Sequence, residues 1–279
     1  MLLGIFSALS VLSAFALCIW QDAFHGFSWL WMLPVGFFGA LIVLLILWVL
    51  LLLVMTWSVD VAKPQKKDNR FYRRVIHLTV DMLMVLLRVK LCTEGTEKIP
   101  TDGRFLLVCN HLAEIDPAVL MTVFRKSDLA FISKQENDHR FLIGAFLHRI
   151  MCQPINRENN REALKTILRC VELLGEDQVS LGVFPEGYVS MDEKLHPFRP
   201  GVFKIAQKTG VPIVVCTLRD TQYVLKRAMK LKPSRVELRL LDVIPAEDLK
   251  GRTAVDIGDQ VHKMMADDLG PDLVLKTVE

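Results

Sequence analysis

Between Met1 and Val59 this sequence has almost no charge: Asp22 is the single Asp, Glu, Lys or Arg in the stretch. A segment so poor in charge cannot present the polar surface of a free-standing soluble domain. The six cysteines (Cys18, Cys92, Cys109, Cys152, Cys170, Cys216) include no CxxC pair and no histidine at metal-ligand spacing. That excludes a disulfide framework and a zinc site, so no metal is expected and the thiols read as small, buried, reduced side chains. A net charge of +3 is too slight to point to nucleic acid. No GxSxG turn is present to carry a serine nucleophile. Nor does a basic segment precede the first apolar run, or a clear small-x-small cleavage site follow it, as a secretory signal would require.

What is there begins with that apolar excess; 52% of the 279 residues are hydrophobic. Leu2 to Trp20 is long enough to span a bilayer as a helix, and Ser28 to Trp57 is longer still. Trp20, Trp29, Trp31 and Trp57 lie near the ends, where indoles favour the headgroup region. Gln21 to Phe27 leaves room only for a tight hairpin. Two membrane helices are expected, with a re-entrant or interfacial hairpin as the alternative. Lys63, Lys66, Lys67, Arg70, Arg73 and Arg74 crowd the exit of the second run, while the hairpin tip carries no lysine or arginine. Positive residues stay on the cytoplasmic side, so an integral membrane protein with its large C-terminal part in the cytoplasm is expected. The same basic cluster suits anionic lipid headgroups. The expected division is a membrane anchor at 1–60, a basic linker and interfacial helix at 61–92, and a globular domain at 93–279.

Phe71 to Lys90 has basic ends and an apolar body, suiting a helix on the membrane surface or the buried first helix of the domain. Apolar runs at Phe105–Cys109, Leu129–Ser133, Val179–Phe184, Pro212–Thr217 and Arg235–Val243 read as strands. Helical segments lie between and after them: Asp116 to about Phe124 with Asp116 as its cap, Phe141–Met151, Asn160–Leu174 and Ala254–Leu269. This alternation predicts an α/β domain with a central, largely parallel sheet flanked by helices.

Chemistry concentrates at the carboxyl ends of two of these strands, where open α/β sheets bind their ligands. His111 follows the Phe105–Cys109 strand, and Asp116 lies five residues further on. A histidine can take a hydroxyl proton while a carboxylate fixes its tautomer and stabilises the imidazolium. An isolated pair at this spacing is more often a loop histidine and a helix-capping aspartate. Phe184-Pro185-Glu186-Gly187 ends a second strand, and its flanking proline and glycine make a rigid turn whose N–H groups can face an anion. Lys134, Arg157 and Arg199 are each ordinary surface cations alone, and together are candidates for holding a phosphate.

Asn110-His111 with Asp116 resembles the NHx4D block of the 1-acylglycerol-3-phosphate O-acyltransferase family. Lys134 through Gly144 to Arg157 is similar to its second block, Phe184–Gly187 to its third, and Val211-Pro212-Ile213-Val214 to its fourth. The resemblance covers about Phe105 to Thr217 in matching order. It implies a glycerolipid acyltransferase-like fold and phosphatidic acid made by transfer from acyl-CoA or acyl carrier protein to a lysophospholipid hydroxyl, with no bound cofactor. His111 would be the base and Asp116 its orienting partner. Asn110, Lys134, Arg157, Glu186, Gly187 and Arg199 would bind substrate. Two positions depart from the family pattern. Tyr188-Val189 stands where Thr-Arg is usual, and Phe141 stands where proline is usual. The missing arginine is a phosphate contact in the family, which leaves a lysolipid with a different head group as the alternative acceptor. A non-catalytic lipid-binding protein on the same scaffold is a further reading, disfavoured by the intact His–Asp pair. So is a lipid hydrolase, for which no nucleophile or metal set is recognisable.

Overall fold

The charge-poor N-terminus folds as a helical hairpin. Helix α1 (Leu2–Trp20) and helix α2 (Trp29–Trp57) are joined through a 3-10 turn at Ala23–His25. Leu2, Phe6, Ser10, Ala14 and Cys18, four residues apart along α1, form its buried face. Small residues let the helices approach: a Cβ added to Gly36 would lie 3.1 Å from the Ala14 Cα. Leu12, Phe15 and Ile19 of α1 and Val35, Ile42 and Val54 of α2 remain exposed. Both helices are long and apolar enough to cross a membrane. The computed structural model describes residues 1–275, and the chain divides into two compact units, Met1–Ala62 and Lys63–Glu279.

The second unit starts with helix α3 (Arg70–Leu86), capped by the Asn69 side chain. Strand β1 (Val89–Glu94), strand β2 (Leu106–Cys109), helix α4 (Asp116–Val123), strand β3 (Ala130–Lys134), helix α5 (Ile143–Arg149) and strand β4 (Gln153–Ile155) follow. Helix α6 (Asn160–Gly175), strand β5 (Leu181–Val183), helix α7 (Phe203–Thr209) and strand β6 (Ile213–Arg219) come next. Helix α8 (Val224–Ala228), strand β7 (Ser234–Ile244) and helix α9 (Ala254–Leu269) complete it.

The strands form one seven-stranded sheet in the order β1-β7-β6-β2-β5-β3-β4. From β6 to β4 every neighbouring pair is parallel, whereas β7 is antiparallel to β6, and β1 is parallel to β7 and runs with it. The expected α/β fold with a largely parallel sheet is therefore the observed one. Every residue of β2 and β5 is buried, as in a strand covered on both faces. Because β2 lies between β5 and β6, with Val108 beside Val183 and Cys109 beside Cys216, the loops leaving all three strands emerge along one edge.

Three expectations need correction here. Helix α3 stops at Leu86 and not Lys90, because Arg88 turns the chain with φ +54. Strand β1 then pairs with β7, so the sheet begins inside the stretch expected to be linker and interfacial helix. Arg73, expected among cations facing lipid headgroups, is buried at 3% exposure. Its guanidinium donates to Asp68 at 2.7 and 2.9 Å and to the Leu129 and Ile150 carbonyls, tying α3 to the domain. Arg70 likewise pairs with Asp128 at 2.9 Å. Helix α3 combines both readings of its sequence: Tyr72, Val75 and Met84 are buried, while Val85 and Leu86 are exposed.

Candidate active site

Strand β2 delivers His111 to the carboxyl edge of the sheet, and helix α4 begins five residues later at Asp116. The Asp116 carboxylate does not cap α4. It is fully buried and turns back, where its Oδ2 accepts from the Leu112 N–H at 2.7 Å and the Ala113 N–H at 2.9 Å. The same oxygen lies 2.8 Å from His111 Nδ1. A carboxylate acceptor places the proton on Nδ1 and leaves Nε2 with a free lone pair. The imidazole also stacks on Phe184, with ring centroids 4.0 Å apart and planes 15° from parallel. Asp116 and Phe184 thus fix tilt and rotation of a histidine whose other nitrogen can accept a proton.

Glu186 and Asn110 do different work from that expected. Glu186 is 1% exposed, and its Oε1 accepts from the His111 backbone N–H at 2.9 Å. Its Oε2 accepts from the His196 N–H at 3.0 Å. Burial pushes its carboxyl up to about 7, against the opposing pull of those two N–H donors. It clamps backbone and is not among the residues lining the cavity described below. The Asn110 side chain is equally committed: its amide donates to the Leu218 carbonyl at 3.0 Å and accepts from the Leu218 N–H at 2.7 Å. It staples β2 to β6 and is 2% exposed. Lys134 stays 56% exposed in an ion pair with Glu136 and does not reach the cavity described next.

Arg157, Gly187 and Arg199 do come together. They line a cavity of about 540 Å³ whose wall includes Phe184, the ring under His111. Its other walls are largely apolar, with Leu164 and Ile167 from α6 and Phe198 among them. Arg157, Arg199 and Lys204 are its cations, and among the described residues no carboxylate lines it. Burial, and next the nearby Arg199 guanidinium, lower the pKa of Arg157. Gly187 has φ +86, and a Cβ there would sit 3.0 Å from Arg199 Nε. The glycine is needed for the turn and for the close passage of the arginine. A cavity lined by both cationic groups and hydrocarbon suits an amphiphile with an anionic head.

Residues 90–219 match the model of the family described as Acyltransferase. The matched stretch is similar to that family and holds both the His111–Asp116 pair and the Phe184–Gly187 turn. A 1-acyl-sn-glycerol-3-phosphate acyltransferase from Cocos nucifera is 27% identical over 194 residues, 69% of this chain and 62% of that protein. A protein with the same description from Chlamydomonas reinhardtii is 31% identical over 188 residues, 66% of this chain and 54% of that protein. The chain thus spans less than two thirds of either relative. The crystal structure of PlsC, the 1-acyl-sn-glycerophosphate acyltransferase of Thermotoga maritima, superposes with a TM-score of 0.61 at 19% identity. That likeness covers 96% of both chains and concerns the fold. Within the matched stretch, His111, Asp116, Phe184, Arg157 and Arg199 cluster along one sheet edge. Of these, Phe184 enters the sequence reading only as a strand end and the start of the Phe184–Gly187 motif, without its place under the imidazole, because a motif does not name its tertiary neighbour; Lys204 of α7 is not singled out there at all.

Proposed function

We propose that the chain is a membrane-associated glycerolipid acyltransferase that acylates the free hydroxyl of 1-acyl-glycerol-3-phosphate, giving phosphatidic acid. The observation that carries the acceptor is the cavity beside Phe184, with Arg157, Arg199 and Lys204 and no lining carboxylate among the described residues. Guanidinium groups match phosphate oxygens, and they can replace the arginine that Tyr188-Val189 leaves out. The donor is a thioester, acyl-CoA or acyl carrier protein. Nε2 of His111 takes the proton of the acceptor hydroxyl as its oxygen attacks the thioester carbonyl. Asp116 stabilises the imidazolium. The C–S bond then breaks, and the proton passes from His111 to the departing thiolate, so no acyl-enzyme is needed.

Purified full-length protein, given labelled thioester and a panel of lysolipids, tests this reading. Lysophosphatidate is expected to be the preferred acceptor, and His111→Ala to lose roughly 10²–10⁴-fold in turnover. Activity confined to lysolipids with larger head groups would remove the acceptor assignment. Near-normal turnover by a folded His111→Ala protein would remove the mechanism. Tyr188, 44% exposed, and Val189 favour the second reading, a lysolipid with a different head group, and the same panel decides it.

A further inference from the structure

The segment after Gly187 is built as a closed ring around one carboxylate oxygen. Asp192 Oδ1 lies 2.8 Å from His196 Nε2 and 2.8 Å from the Ser190 hydroxyl, and accepts from the Lys194 N–H at 3.3 Å. His196 beside it holds the Asp192 carboxyl down to about 2. The ring grips the catalytic loop at both faces of the His111 peptide. On one side, the Ser190 N–H donates to the His111 carbonyl at 2.8 Å. On the other, the His196 N–H and the His111 N–H hold the two oxygens of the buried Glu186. The His196 ring meets Tyr188 edge-on at 5.2 Å, which fixes it from a third direction.

Among the described residues, neither Asp192 nor His196 lines the cavity, and neither side chain is hydrogen-bonded to that of His111. Their shared contact is with each other, and the backbone they shape reaches His111 through Glu186 and Ser190. The side-chain pair closes the 190–196 segment, and the backbone N–H of His196 at its end is the one that reaches Glu186.

We propose that the His196–Asp192 pair is a positioning device for the catalytic base: it closes the 190–196 ring, which presents the His196 N–H to Glu186 and thereby holds the His111 peptide in register with the acceptor. The inference rests on the assignment of His111 as base in the proposed function. Asp192 acts as the hub and His196 as the latch.

The test uses the full-length chain, with whichever lysolipid it turns over and its thioester donor. His196→Ala should lower kcat about tenfold, the scale of a sub-ångström misplacement of a reacting group, while KM for donor and acceptor stays put. His196→Gln, whose amide can reach Asp192 from the same side, should recover most of kcat. In a Glu186→Gln background, where the relay is already broken, His196→Ala should cost no more than about a further twofold. If His196→Ala does not fold, Asp192→Ala takes its place and should give the same kcat-only loss. An unchanged kcat, a change confined to KM, failure of glutamine to rescue, or full additivity with Glu186→Gln would each overturn the proposal. The two readings fail separately. An inactive wild type, or an active His111→Ala, removes the proposed function, whereas an active wild type lost in His111→Ala and indifferent to His196→Ala removes only the latch.

Discussion

His111 takes its orientation from three groups on two segments: the Asp116 carboxylate from its own loop, and the Phe184 ring and the Glu186 side chain that holds its N–H from the turn after β5. The types and spacing of His111 and Asp116 were legible in the sequence because a base and its orienting acid can act within one short loop. Arg157 and Arg199 were legible as cations, though their meeting depended on the turn at Gly187. The roles of Asn110, Glu186 and Lys134 were not legible, since a residue type does not name its partner. Asn110 and Glu186 are spent on backbone, and Lys134 on Glu136. Gly187 gives a test at this scale. Gly187→Ala forces a left-handed non-glycine residue, costing about 1–2 kcal/mol, and pushes its Cβ against Arg199. The expected result is a raised acceptor KM, with the donor KM changed far less; steady-state kinetics with each substrate varied in turn would check it.

Helix α3 shows how an element can answer two readings at once. Its exposed side keeps Val85 and Leu86, while its buried side carries Arg73 into a carboxylate and two carbonyls. His77 lies on the buried side, with neither ring nitrogen hydrogen-bonded among the described residues. Burial lowers its pKa, followed by the charges of Arg125 and Arg73. The fold therefore favours neutral His77, whereas the unfolded chain binds a proton near pH 6.5. Its contribution is complete above that pH and is lost as pH falls below it. His77→Leu is expected to narrow the drop in melting temperature between pH 7.5 and pH 5, and thermal unfolding at the two pH values would show whether it does. The central strands were readable from sequence because residues buried on both faces form continuous apolar runs. Strands β1 and β4 were missed because they are the edges of the sheet: β1 keeps Lys90 and Glu94 exposed, and β4 has only three residues.

At the scale of the whole molecule, an apolar hairpin and an α/β unit share one chain, and the charge-poor stretch at the start marks the change between them. The helices α1 and α2 satisfy their backbone internally and leave large apolar side chains uncovered, the condition for a bilayer. The excess of lysine and arginine after α2, with Lys63, Lys66, Lys67 and Arg74 among them, sets the expected orientation. Single cysteines placed at Asp22 and at Lys66, in a Cys92→Ser background, should label from opposite sides of sealed vesicles. Labelling of both from one side would contradict a two-span topology.

Sequence alone determined what depends on local pattern: the two apolar helices, the alternation that makes an α/β sheet, and the His111–Asp116 pair on one loop. Only the tertiary structure decided which strands are neighbours. Placing β2 between β5 and β6 brings Glu186 to the His111 peptide and Leu218 to Asn110, and sets the Phe184 ring under the imidazole. Those partners lie 75 to 108 residues apart in the chain where hydrogen-bonded. Strand order follows from how buried faces and crossovers pack, and no local spacing carries that information.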